Sequence, residues 1–259
     1  MIKEFEITLP PLSEQRRIVD ILSAYDDLIE NNRKRIALLE ESARQLYKEW
    51  FVRLRFPGHE RHPVEDGVPK GWKRTMVGEL CASIRDAANP KRIEEGTPYI
   101  GLEHMPRRSI TLSEWGTADD VASGKLRFKK GEILFGKIRP YFHKVGIALV
   151  DGVASSDAIV IRPNAEELLP FVLLAVSSDA FIAATAQGMR EGSKMPRADW
   201  KQMQQYPLSL PDDETLSRFN KVLIPILAQL KTLSFTTRTL TASRDMLLPR
   251  LMNTNKKEN

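Results

Sequence analysis

The sequence predicts an α+β protein in which one strand-rich globular domain is flanked by two long helices. Three observations carry that expectation. Residues 13–56 and 212–252 place apolar side chains at alternating three- and four-residue steps, the period of a helix that packs along one face. Residues 72–211 instead break into short apolar runs such as "TPYIGL", "GEILFGKI", "KVGIALV" and "DAIVIRP", separated by Gly, Pro, Asp and Asn, as strands and their turns do. A short segment, "ITLP", stands before the first helical pattern and returns as "LSLP" before the second, with Ile7 aligning with Leu208.

Taken in order, residues 1–12 read as the terminal strand of a unit like the one that "LSLP" completes. Ser13 is placed to cap the first helix, residues 13–56, with Glu14 in the opening turn. Ile18, Ile21, Tyr25, Leu28, Asn32, Ile36, Leu39, Ala43, Leu46 and Trp50 then form a stripe with one four-four step at Asn32, read as a change of heptad frame. No Gly or Pro interrupts this helix, whose length corresponds to about 60 Å, roughly twice the diameter of a small domain. "RFPGHERHPVEDGVPKG" supplies the helix stop and a linker over residues 57–71. Inside the globular domain, "LLPFVLLAVSSDAFIAATAQ" has helical spacing and should pack against the strands.

The second helix, residues 212–252, repeats the pattern with Leu216, Phe219, Leu223, Ile226, Leu230, Leu233, Thr237, Leu240, Leu247 and Leu251. Arg244 is the one charged residue at an expected seam position, and Pro225 should bend the helix by removing an amide donor. Residues 253–259 read as a frayed polar tail. The seam is therefore expected to hold Ile18, Tyr25, Leu28, Asn32, Leu39 and Leu46 from the first helix. Phe219, Leu223, Ile226, Leu230, Leu233 and Leu240 supply the second, with Asn32 as a polar register device.

The 259 residues are 42% hydrophobic and 28% charged, with no apolar run near the roughly 18 residues of a membrane helix and no secretory signal pattern. A soluble cytoplasmic protein without membrane contact is expected. The lone Cys81 excludes an internal disulfide and a multi-cysteine zinc site. A net charge of +5 permits a polyanionic partner without requiring one. "GEILFGKI" contains the G-x4-G-K core of a phosphate loop, but Ile138 stands where a hydroxyl would hold magnesium, and Arg139-Pro140 opposes a helix start. His59 and His62 lack a third ligand nearby, so no metal site is expected. No Asn/Asp-Pro-Pro-aromatic motif, glycine-rich cofactor loop or nuclease carboxylate set occurs. The chain is expected to be non-catalytic and to bind no cofactor.

Several fragments occur in a telling order: "LPPLSEQRRIVDIL", "LYKEWFVRLRFPG", "GVPKGWKRTMVGEL", "YIGLEHM", "FKKGEILFGKIRPYFHKVGIA", "ASSDAIVIRP", "GSKMPRADWKQMQQYPLSLP" and "LLPRLM". In sequence and spacing they resemble the specificity subunits of type I restriction-modification systems, over nearly the whole chain. That resemblance implies a target-recognition domain at residues 72–211 and an antiparallel coiled coil of the two long helices. The coiled coil would set the distance between recognition domains and offer its outer faces to methyltransferase (M) subunits, with restriction (R) subunits joining through the complex. The family pattern has two recognition domains and this chain shows one, which implies a half subunit completed by homodimerisation or by another half specificity subunit.

For such a subunit, double-stranded DNA is the expected partner, and basic residues in the loops of the strand-rich domain are the expected contacts. They are Lys91, Arg92, Arg107, Arg108, Lys137, Arg139, Lys144, Arg190, Lys194 and Arg197, with Tyr141 interleaved. Arginine reads guanine bidentately, and lysine or arginine neutralises phosphate. His143 is placed either to contact a groove edge or to pack. The alternative is a coiled-coil scaffold that binds protein, in which these residues are ordinary solvated surface. Convergence of the basic side chains on one face separates the two.

Overall fold

The computed structural model describes residues 10–119, 123–187 and 195–253, excluding the side chains of Leu248, Met252 and Asn253. The strand expected at Ile7 and most of the tail expected at 253–259 lie outside the described residues. Contacts divide the chain into two compact units, Met1–Ala37 with Thr232–Asn259, and Leu38–Lys231.

In chain order, α1 (Leu12–Tyr47) is followed by a π-helical turn at Lys48–Val52. The strands β1 (Val64–Glu65), β2 (Val68–Pro69) and β3 (Lys73–Met76) lead to α2 (Val77–Leu80). Next come β4 (Cys81–Ile84), β5 (Ala87–Ala88), β6 (Pro98–Ile100), β7 (Thr111–Leu112) and β8 (Gly116–Thr117). The central strands are β9 (Lys125–Phe128), β10 (Ile133–Gly136), β11 (Val145–Ala148), β12 (Gly152–Ser155) and β13 (Ala158–Pro163). The helices α3 (Leu169–Val176), α4 (Asp179–Gln187) and α5 (Trp200–Met203), then β14 (Pro207–Leu210) and α6 (Asp213–Asn253), complete the chain.

Two five-stranded sheets build the larger unit, in the orders β4-β13-β10-β11-β7 and β5-β9-β12-β6-β8. Each is antiparallel except for one parallel pair, β11 with β7 and β12 with β6. Leu134, Ala148 and Val160 of the first sheet share one buried cluster with Ile100, Phe128 and Ala154 of the second, so the sheets pack face to face. All four residues of β10 are buried, and Phe135 meets Phe181 of α4 at 6.1 Å between ring centroids. A strand covered on both faces reads as a continuous apolar run, which is why "GEILFGKI" carries no alternation. It lies in this structure as strand β10 and the chain leading from it, not as a loop opening a helix.

The first helix differs from expectation at both ends. It begins at Leu12 rather than after a Ser13 cap: the Pro11 carbonyl accepts the Gln15 N–H at 2.9 Å, and the Gln15 side chain donates to the Pro10 carbonyl at 2.7 Å. Proline has its φ already set and no N–H to satisfy, so the helix starts directly after the pair. At the other end the regular helix stops at Tyr47, and the wider π turn carries the consecutive Trp50 and Phe51, both buried. Leu54, with φ of 57°, ends the run in the left-handed region. The second helix is capped by Asp212, whose carboxylate accepts the Thr215 N–H at 2.8 Å. It continues as one helix through Pro225, an exposed position.

In the smaller unit Ile18, Ile29 and Asn32 of α1 and Leu233 and Ser234 of α6 are buried. Tyr25 and Leu240 are half-buried. Leu28, expected on the seam, is 53% exposed, and Ile29 is buried at 2% in its place. With Ile29 the positions 18, 22, 25, 29, 32 and 36 alternate four and three without a break, so the apparent frame change at Asn32 disappears. Arg244 explains its own presence on the seam: it donates to the Asp26 carboxylate at 2.7 Å and to Asp245 at 2.8 Å. Within the larger unit Phe219, Leu223 and Leu230 are buried, whereas Leu39, Leu46 and Ile226 are half-buried.

An aromatic cluster joins the end of α1 to the rest of the larger unit. The Phe51 ring lies 4.6 Å from Phe219, 4.9 Å from Phe171, 5.4 Å from Tyr47 and 5.7 Å from Trp72, and Phe56 lies 4.8 Å from Trp72. Replacing Phe51 by Ala should cost about 3–5 kcal/mol, as buried Phe truncations do. Urea unfolding of the variant should show a lower midpoint with an unchanged slope. A midpoint within error of the parent would remove Phe51 from the centre of this core.

Cys81 is buried at the start of β4, its thiol donating to the Val77 carbonyl at 3.3 Å, and burial pushes its pKa up to about 12. An aromatic disulfide reagent at neutral pH should therefore find no reactive thiol in the native chain and one per chain after unfolding.

Candidate nucleic-acid interface

The loop after β10 and the segment before α5 run side by side. The Arg139 N–H donates to the Pro196 carbonyl at 2.9 Å and the Ala198 N–H to the Lys137 carbonyl at 2.8 Å, with Ile138 and Arg197 in antiparallel register. This pairing puts Lys137, Arg139 and Arg197 on adjacent backbone. Asp157, in the turn between β12 and β13, holds the group together: its carboxylate pairs with Arg197 at 3.0 Å, and its carbonyl accepts the Lys137 N–H at 2.7 Å. The Lys137 ammonium donates to the Ser156 carbonyl at 2.7 Å. Burial pushes its pKa below the usual lysine value, Asp157 opposes that shift, and the guanidiniums of Arg85 and Arg197 add to it.

Arg139 adopts a left-handed conformation with φ of 48°, and Pro140 then opens a short 3-10 turn, Pro140–Phe142. The turn presents Tyr141 at 53% exposure, its ring edge-on to Phe142 at 5.1 Å. Two guanidiniums lie on Phe142, Arg107 at 4.2 Å and Arg139 at 5.8 Å from the ring centroid. Arg107 and Arg139 thus share the Phe142 ring beside the exposed Tyr141, and on the adjoining backbone Lys137 and Arg197 gather about Asp157, with Arg85 near Lys137.

Other expected residues sit differently. Arg108 also has positive φ, at 59°, and its guanidinium pairs with Asp179 at 3.0 Å. The Lys144 ammonium is half-buried and donates to the Leu102 carbonyl. Lys91 and Arg92 are exposed on the 3-10 turn Pro90–Arg92, capped by Asn89, with no contact to the cluster among the described residues. Arg190 and Lys194 lie outside the described residues. His143 packs: it is buried, and its Nε2 sits 2.7 Å from the Ser177 carbonyl. Burial lowers its pKa, a shift that the Ser177 hydrogen bond and Asp179 oppose and that Arg108 and Arg44 reinforce. His59 and His62 place their Nδ1 atoms against the Phe56 and Lys70 carbonyls.

The residues not anticipated from sequence are Arg85, Phe142 and Asp157. Arg85 follows an apolar strand in "SIRDAANPKR" and carries the same signal as the basic residues that were selected. Phe142 and Asp157 gave no such signal, because an apolar ring and an acidic side chain act here only through the cations they hold.

Behind this surface α1 grips the loop that carries Arg107. The buried Glu40 carboxylate accepts the Ser109 hydroxyl at 2.6 Å and the Ile110 N–H at 3.1 Å. Arg44 lies 3.6 Å from that carboxylate and donates to the Arg108 carbonyl at 2.9 Å. Burial raises the Glu40 pKa, and the Ser109 hydrogen bond and Arg44 oppose the rise. A cleft of about 780 Å³ lies alongside, lined by Arg44, Tyr47, Arg108, His143, Asp179 and Tyr206 among others.

A family model described as "Type I restriction modification DNA specificity domain" matches residues 1–41. The chain is also 23% identical to the type I restriction enzyme MjaIX specificity subunit of Methanocaldococcus jannaschii, covering 97% of this chain and 60% of that protein. These matches make the chain similar to the specificity subunits of type I restriction-modification systems. A second relative, the Escherichia coli EcoDI specificity subunit, is 23% identical over 81% of this chain and 52% of its own length. The fold agrees with that of the crystallised type I restriction-modification system S subunit from M. genitalium, with a TM-score of 0.57 at 19% identity over 93% of this chain and 61% of that one. The chain therefore spans between about half and three fifths of the length of these relatives. Among the described residues no single helix is long and apolar enough to cross a membrane.

Proposed function

We propose that this chain reads double-stranded DNA sequence-specifically and thereby directs adenine methylation and restriction carried out by partner subunits, with no catalysis of its own. The observation that carries the reading is the seating of Arg107 and Arg139 on Phe142 beside Tyr141, with Lys137, Arg197 and Arg85 on adjoining backbone, in a chain similar to specificity subunits. Arginines held in fixed orientations suit base edges, and the clustered positive charge suits phosphate. A protein-binding scaffold has no need to place so many cations together.

In this proposal residues 72–211 are the recognition domain and supply one half-site, and a second domain of the same kind supplies the other, on a copy of this chain or on another half subunit. The long helices at 13–56 and 212–252 pair antiparallel, act as a spacer, and dock methyltransferase subunits, through which restriction subunits join. The Asp26–Arg244 ion pair supports that pairing and its register.

Arg139→Ala and Arg197→Ala should each weaken binding to the cognate duplex by about 1–3 kcal/mol if they read bases, or reduce the salt dependence by about one unit of slope if they hold phosphate. Arg53→Ala, at the end of the π turn and paired with Glu49, should change neither. Binding measured across a salt series separates these outcomes, and equal losses at all three positions would overturn the assignment.

Spacer length should follow helix length. One heptad inserted after Glu30 and another after Leu240, positions that the Asp26–Arg244 pair places opposite each other, add about 10 Å each. That is about three base pairs of DNA, at roughly 3.4 Å per pair. The methylated motif in cells expressing the variant with its methyltransferase should gain about three unspecified base pairs while its flanking bases stay the same. An active variant with an unaltered motif would show that the helices do not set the distance.

A further inference from the structure

The DNA-reading loops are built from backbone that an ordinary L-residue avoids. Arg108, Arg139 and His143 all have positive φ, at 59°, 48° and 56°. Such residues persist only where their surroundings over-determine them. For residues 107–110 the surroundings are largely one face of α1. Glu40 takes the Ser109 hydroxyl and the Ile110 N–H on one oxygen. Arg44, one turn later, takes the Arg108 carbonyl. From the other side the Arg108 N–H donates to the His143 carbonyl at 2.9 Å, and its guanidinium reaches Asp179. The approach of this loop to β11 depends on Gly146, where a Cβ would stand 3.0 Å from the Ile110 carbonyl carbon.

Arg107 and Arg108 both remain exposed, and of the two Arg107 is the one laid on Phe142 beside Arg139. We propose that Glu40 is a positioning residue for DNA reading: with Arg44 it fixes the 107–110 loop so that the Arg107 guanidinium stands on Phe142 at the recognition surface. The inference rests on the reading of that surface as the DNA interface, and it assigns to α1 a role in base recognition in addition to spacing. A carboxylate suits the position because one oxygen must accept two donors in a buried site while the other faces Arg44. Glutamine keeps the accepting oxygen; alanine leaves the buried Ile110 N–H unpaired and the Ser109 hydroxyl with only the Thr111 carbonyl, at 3.1 Å.

The test is a double-mutant cycle on the full chain, using fluorescence anisotropy with a duplex carrying the motif that becomes methylated in cells expressing the chain with its methyltransferase, and a scrambled duplex as control. Glu40→Ala should weaken cognate binding about ten-fold, and Glu40→Gln should recover most of that loss. In an Arg107→Ala background Glu40→Ala should cost less than about two-fold more, because the residue it positions is gone. Additive losses would overturn the inference, as would unchanged affinity in a Glu40→Ala chain with a native melting transition. If Glu40→Ala does not fold, Ser109→Ala removes one of the same hydrogen bonds, and the same coupling to Arg107 is required of it. A parent chain that binds both duplexes alike would overturn the DNA-reading proposal itself. A parent that discriminates between them, with no contribution from Arg107, would overturn only the role of Glu40.

Discussion

The larger unit depends on one constraint: Phe51 must be buried next to Trp50 at the end of a helix that otherwise buries every third or fourth residue. A regular helix turns consecutive side chains about 100° apart, so burying both rings needs a wide covered face. The π turn at Lys48–Val52 carries both, and Phe51 touches rings from α1, from the linker at Trp72, from α3 at Phe171 and from α6 at Phe219. Aromatic pairs of this kind add about 0.5–1.5 kcal/mol each beyond area burial. The cluster fixes where α1 ends and α6 begins against the two sheets, and so fixes Glu40 and Arg44 relative to the loop they hold.

The basic surface is kept together by acidic and aromatic groups that do not themselves bind anions. Like charges repel, and long cationic side chains lose rotamer freedom when ordered. Asp157 offsets both effects for Arg197 and Lys137, and Phe142 does so for Arg107 and Arg139. Left-handed backbone at Arg139 and Arg108 turns the chain sharply enough for these partners to be reached. The ordering is largely complete before any ligand arrives, which reduces the entropy lost on binding.

In the smaller unit the polar residues on the seam have different roles. Asn32 is buried, whereas Arg244 remains partly in water and meets Asp26. An exposed ion pair contributes at most about 1 kcal/mol to stability. Its value lies in register, because a slip of one turn separates Arg244 from Asp26 and leaves a charge against an apolar stripe.

Helical periodicity, the short apolar runs and the segment repeated before each helix were sufficient to indicate two long helices around a strand-rich domain, because such patterns follow directly from which faces must leave water. The loops rich in Arg and Lys were legible for the same reason, and the fragments around them pointed to the family. The sequence by itself did not separate Leu28 from Ile29, since both are apolar and one residue apart; only packing shows which is covered. Nor did it reveal the π turn, the caging of Lys137 and Arg197 by Asp157, or the seating of Arg107 on Phe142 behind a loop gripped by Glu40. Those arrangements depend on backbone turns at Arg108, Arg139 and His143 and on contacts between residues about 20 to 70 positions apart, which local pattern does not encode.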